Sequence, residues 1–391
     1  MSSAQSGANL PPKVPEWMKE QGAPILSPPY GQPSVYERHV VRRFREVRVT
    51  NTAATTFAPL QELYGIITPN GLCFERHHGG VPRINPAEHR LMIHGLVERP
   101  LMFTMDDLMR FPSVSRINFL ECSGNTQNWK NVRPEFTVQD THGLVMCCEW
   151  TGVMMSTLLE EVGISPEAKW VVAEGADAAA MTRSVPMAKA LDDAMIVYAQ
   201  NGERLRPEQG YPVRLFLPGY EGNMNVKWLR RIKVGDRPWQ SREETSKYTD
   251  LMPDGKARQF TFTMEAKSVI TRPSGGQQLT GGPGFYEITG LAWTGRGRIR
   301  RVEVSTDGGA SWREAQLQQP VLPLALTRFR APWHWDGGPA MLQSRAIDET
   351  GYTQPRHAEL VAARGVNSFY HYNAVQSWRV TPQGMVSIHV A

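Results

Sequence analysis

The sequence predicts an α+β protein: a mixed α/β domain over residues 56–236, then an all-β sandwich domain over residues 264–391. Three observations lead there. A chain of 391 residues exceeds what one hydrophobic core comfortably fills. From about residue 56, strand-like apolar runs alternate with short helical ones, whereas after Glu265 the helical signals disappear. Turn sequences then recur at short intervals, at Asp307-Gly308-Gly309, Asp336-Gly337-Gly338 and Glu349-Thr350-Gly351, the spacing of short strands in a β-sandwich.

Residues 1–55 carry Pro11, Pro12, Pro15, Pro24, Pro28, Pro29 and Pro33 and are expected to form an extended arm. In the first domain, Thr104 with Asp107 three residues on opens a helix that Pro112 ends. Leu144 to Trp150 read as a buried strand that gives Cys147 and Cys148 a structural role. Ser156 is expected to open a second helix and Gly163 to close it. Residues 237–263 form a charged linker. Strands are then expected at Glu287–Thr294, Ile299–Ser305, Trp312–Leu317, Met341–Ile347 and Trp378–Thr381, with Asp307-Gly308-Gly309 turning a hairpin between the second and third.

Composition narrows the function. No apolar run approaches the ~20 residues of a membrane span. The net charge of +5 is spread over scattered arginines, so an anionic substrate or cofactor fits better than nucleic acid. Cys73, Cys122, Cys147 and Cys148 contain no Cys-x-x-Cys pair, which removes zinc ribbons, thioredoxin chemistry and covalent c-type haem. The first residues lack a basic, then apolar, leader, so the chain is expected to be cytosolic or to have been supplied without one.

Four segments gather polar and basic residues between apolar runs. Cys122 follows Phe119-Leu120-Glu121 and precedes Ser123-Gly124-Asn125, which places a thiolate at a strand mouth where a soft metal can be met. By itself this cysteine reads more readily as a buried, inert one, since free cysteine is among the most buried residue types. Cys73 to Pro82 adds a cation and two histidines, and Glu174-Gly175-Ala176-Asp177 adds a turn with Thr182-Arg183-Ser184 beyond it. Arg214 and Lys227 flank a Gly-rich turn, an arrangement that suits a phosphate but also describes two surface cations.

In this order and spacing the segments resemble the sulfite oxidase family of molybdenum enzymes. The resemblance covers residues 60–391, since Ser305 to Trp312 and Arg345-Ala346-Ile347-Asp348 are similar to the family's immunoglobulin-like dimerisation domain. Asn70 to His78, Arg242 to Asp250 and Ala346 to Gly351 look most like the molybdenum subunits of bacterial sulfane dehydrogenases. The resemblance implies a molybdopterin-binding first domain in which Cys122 ligates molybdenum. It implies that His78, Asp177, Ser184, Gln209, Arg214 and Lys227 bind the pterin and its phosphate, and that Arg76 and Arg328 receive an anionic sulfur substrate. The family's active-site tyrosine aligns without gaps to Glu244, and with a shift to Tyr248, the residue favoured here. A second substrate-side arginine expected shortly after Cys122 is missing.

The implied reaction is oxygen-atom transfer that takes sulfite to sulfate, with electrons passed to an external acceptor such as a c-type cytochrome and no haem in this chain. The alternative substrate is sulfane sulfur held on a carrier protein. A cofactor-free binding protein is the third reading. A periplasmic homodimer is expected on resemblance alone.

Overall fold

The computed structural model describes Pro15 and residues 33–45, 52–126, 129 and 131–389. Most of the expected arm lies outside these residues. Its described part holds a 3-10 turn at Val35–Glu37 and strand β1, Arg43–Arg45. Residues 41–391 form one compact unit.

β1 pairs with β2 (Thr55–Phe57), which pairs in turn with β3 (Glu75–Arg76). β4 (Leu91–Gly95) and β5 (Leu101–Phe103) lead into helix α1, Met105–Arg110. As expected, the Thr104 hydroxyl accepts from Asp107 N–H and the Asp107 carboxylate accepts from Thr104 N–H, so two otherwise orphaned donors are satisfied reciprocally. β6 (Ser113–Glu121), α2 (Val138–His142), β7 (Val145–Met154) and α3 (Met155–Val162) follow. Helix α3 begins one residue before Ser156: Met155 N–H donates to Ala194 O at 2.8 Å, so a strand neighbour fills the place of a side-chain cap. Gly163, at φ +67°, ends it.

The first module continues with β8 (Trp170–Gly175), β9 (Thr182–Pro186), α4 (Met187–Asp192), β10 (Met195–Gln200), β11 (Glu203–Arg204), β12 (Arg214–Phe216) and β13 (Leu229–Gly235). Two five-stranded sheets result. One runs β11-β10-β7-β6 with β12 added on β10, and the other runs β5-β4-β13-β8-β9 with β13 parallel to β4. The linker contains helix α5, Arg242–Thr245, and a short hairpin of β14 (Asp250–Leu251) and β15 (Ala257–Arg258).

The second module stacks β16 (Lys267–Arg272), β17 (Gly284–Trp293), β21 (Thr327–Trp335) and β20 (Gln316–Leu317) in one sheet. The other sheet runs β19 (Arg313–Glu314), β18 (Ile299–Ser305), β22 (Ala340–Asp348), β23 (Ser377–Val380) and β24 (Val386–His389). Two expectations are corrected. The strand expected over Trp312–Leu317 divides at buried Ala315, because β19 pairs with β18 while β20 crosses to β21. A helix, α6 (His357–Arg364), stands where helical signals were thought to have ended. It buries only Leu360 and Arg364, one position per turn, too narrow a stripe to register as an apolar period.

One apolar cluster joins the modules: Phe119, Val145 and Cys147 of the β6–β7 sheet pack with Trp293, Phe329 and Trp378 of the sandwich. The end of β6 is therefore seated on the second module.

Candidate active site

Cys122 is the first residue beyond β6. Its N–H donates to Leu144 O at 3.0 Å, and Asn125 N–H closes a turn onto Cys122 O at 2.8 Å. Gly222 lies against this turn, where a Cβ would come within 2.9 Å of Glu121 O and 3.1 Å of Cys122 Cα, so a side chain is excluded by backbone approach. Cys122 is part-exposed, whereas Cys73, Cys147 and Cys148 are buried. Burial raises the Cys122 thiol pKa, while Gly124 N–H and the Arg76 charge draw it back. A cation bound there would displace the proton.

Cys122 opens on a cavity that Arg76, His78, Asp177, Gln209, Lys227 and Tyr248 also line. Arg214 sits behind the wall, buried. Its Nη1 donates to Gln209 O at 2.9 Å and its Nη2 to Asn225 O at 3.1 Å, which leaves Nε buried without a partner. Burial lowers its pKa to about 10. Lys227 Nζ donates to Arg76 O (3.1 Å), Glu208 O (3.0 Å) and His77 Nδ1 (2.9 Å), and burial, with Arg214 close by, holds its pKa well below the ordinary lysine value. Two partly desolvated cations side by side favour a bound anion.

His77, the other histidine of the 73–82 segment, completes a relay. Because Nδ1 accepts from Lys227, Nε2 carries the hydrogen and donates to Glu75 at 2.7 Å. In the same way Arg76 Nη2 faces His78 Nδ1 at 3.4 Å, which leaves His78 Nε2 to donate to Tyr248 Oη at 3.0 Å. Burial, then Arg76 and Lys227, push His78 down to about 3, so it is neutral. Burial raises the Tyr248 phenol, which keeps its proton available to the cavity.

Tyr248 and Glu244 separate clearly. Glu244 is buried with its carboxylate taken by Ser184, N–H and hydroxyl both, so Tyr248 is the one that lines the cavity. Two candidates stand elsewhere. The Ser184 hydroxyl, besides donating to Glu244, accepts from Trp239 N–H at 3.0 Å, and Ser184 is absent from the cavity wall. Arg328 spends its guanidinium on Gly65 O (2.8 Å) and Leu63 O (2.9 Å), bracing that loop instead of reaching the cavity. Sequence reasoning also passed over Asn223, whose Nδ2 donates to Ser123 Oγ (3.0 Å) and Glu221 Oε2 (2.6 Å) while its buried Oδ1 has no partner at the cavity wall.

Among the described residues no three His, Cys, Asp or Glu side chains gather as a metal-binding group. One thiol beside a cation-lined cavity, with the orphaned Arg214 Nε behind it, fits a metal that brings its other ligands on an anionic organic group.

Residues 78–243 match the oxidoreductase molybdopterin binding domain, and residues 258–378 the Mo-co oxidoreductase dimerisation domain. The chain is 30% identical over 336 residues to the sulfite oxidase of Gallus gallus, an alignment covering 79% of this chain and 73% of that one. It is 31% identical over 306 residues to the mitochondrial sulfite oxidase of Drosophila melanogaster, covering 73% and 53%. To the NADH nitrate reductase of Volvox carteri it is 32% identical over 391 residues, covering 88% and 44%. The chain spans about half the length of the first curated relatives it matches. Among solved structures, the sulfane dehydrogenase SoxCD from Paracoccus pantotrophus superposes with a TM-score of 0.94 at 48% identity, covering 97% of this chain and 98% of that one.

Proposed function

The chain belongs to the sulfite oxidase family of molybdopterin oxidoreductases, and from that premise we propose that it oxidises a reduced inorganic sulfur compound at a molybdenum centre held by Cys122. The observation that carries this reading is the thiol of Cys122 opening on a cavity walled by Arg76, His78 and Lys227. Cys122 would ligate the metal. His78, Asp177, Gln209 and Lys227 would hold the pterin, with Arg214 charging the wall behind its phosphate. When bound, the cofactor supplies two-electron oxygen-atom transfer to sulfur.

The chain's own residues orient and neutralise. Arg76 sets a cation beside Cys122 for an oxyanion. Neutral His78 fixes the Tyr248 hydroxyl, and the Tyr370 ring packs 5.2 Å from the Tyr248 ring. With sulfite as substrate the balance is sulfite plus water to sulfate, two protons and two electrons. The electrons leave to an external acceptor such as a c-type cytochrome.

Carrier-bound sulfane sulfur is the second reading. It is favoured by the 48% likeness to a sulfane dehydrogenase and by Arg328 being committed to Leu63 and Gly65. Sulfite-dependent reduction of ferricyanide by molybdenum-loaded enzyme decides. Turnover is expected for free sulfite, whereas full metal loading without turnover moves the substrate to a carrier protein. The second module's match to a dimerisation domain supports a homodimer, about twice the 43.9 kDa chain mass by light scattering; a monomer at micromolar concentration contradicts it. Among the described residues no helix is long and apolar enough to cross a membrane. A periplasmic location remains a proposal by likeness.

A further inference from the structure

The residue before Cys122 is an acid with no access to solvent. Glu121 is 0% exposed, and its carboxylate receives three donors from two directions. Asn125 Nδ2, from the cysteine's own turn, lies 2.9 Å from Oε1. Lys267 Nζ of β16 lies 2.9 Å from the same oxygen, and Trp293 Nε1 of β17 lies 2.6 Å from Oε2. Lys267 is itself 2% exposed, and burial lowers its pKa against the opposing pull of Glu121. On the other side of Cys122, Ser123 O accepts from His371 N–H at 2.8 Å, again from the second module, while Ser123 Oγ accepts from Asn223.

Cys122 is thus bracketed: the residues before and after it are each fastened to the sandwich. A buried ion pair is a poor device for stability, since the desolvation of two charges offsets their attraction and an apolar pair of similar volume often does as well. It is a good device for position. A carboxylate with three fixed donors has one orientation, and the donor from Asn125 carries that orientation into the turn that presents the sulfur. We propose that the second module, beyond any part in dimerisation, aims the Cys122 sulfur at the metal through Glu121, Lys267 and Trp293, with Glu121 a positioning residue. This rests on Cys122 being the metal ligand.

The joint variant Glu121→Gln with Lys267→Met removes both charges, so neither is left buried and unpaired. Trp293→Phe removes one donor and keeps the ion pair. In molybdenum-loaded enzyme, both variants are expected to retain the metal and to shift the thiolate-to-molybdenum charge-transfer absorption. kcat should fall about 10- to 100-fold in the joint variant and less in Trp293→Phe, with KM kept. Unchanged absorption and kcat in both variants overturn the proposal. Cys122→Ser run alongside tells the two failures apart: if serine abolishes the absorption while the joint variant leaves it intact, positioning alone is wrong. If serine leaves it intact, the ligand assignment falls and this proposal with it.

Discussion

Cys122→Ser is expected to lower turnover by more than about 100-fold, beyond what loss of a supporting partner around a metal site costs. Oxygen is a hard donor, and a hydroxyl does not give up its proton to a soft centre as a thiol does. Folding should be nearly unaffected. The side chain is part-exposed, serine is close in size, and the turn is held by Asn125 N–H to Cys122 O and by Cys122 N–H to Leu144 O, both backbone bonds. The expected stability change is under about 1 kcal/mol. Steady-state assay beside thermal denaturation measures both. A variant that has lost activity only because it has unfolded would not support the ligand role.

Lys227→Met is expected to weaken retention of the anionic cofactor by about 10- to 100-fold, the worth of a hydrogen bond to a charged group. The lysine donates three bonds and still has a depressed pKa, which means the ligand-free protein holds a cation poorly there. A bound phosphate would raise that pKa, so binding takes up a proton. Affinity is then greatest below the depressed value and falls as pH rises from it towards about 10.4, the ordinary lysine value. Methionine removes that slope. Molybdopterin retained through gel filtration at a series of pH values, wild type against variant, measures it; equal retention and equal slope would remove Lys227 from the phosphate site.

Much of the candidate site was legible because its residues lie on short segments whose order along the chain is itself distinctive. Cys122, His78, Asp177, Gln209 and Lys227 come from separate stretches, yet line one cavity with Arg214 immediately behind. Sequence does not tell how a buried polar side chain is satisfied. Ser184 lies on β9, but a carboxylate from α5 reaches it first. Arg328 lies on β21, and its charge is consumed by the carbonyls of the 63–65 loop. Tyr248 was separable from Glu244 only by seeing which of the two is buried under Ser184. The sandwich turns were legible from their glycines, whereas α6 escaped because it buries only one position per turn, Leu360 and Arg364. Lys267 and Trp293 gave no local signal at all, since they meet Glu121 from strands 146 and 172 residues away.

The central claim is that Cys122 supplies the protein's own ligand to molybdenum. Molybdenum K-edge X-ray absorption of the loaded wild type and of Cys122→Ser tests it without relying on activity. The account predicts one sulfur scatterer fewer in the serine variant at equal metal content; an identical sulfur shell in the two proteins would contradict it.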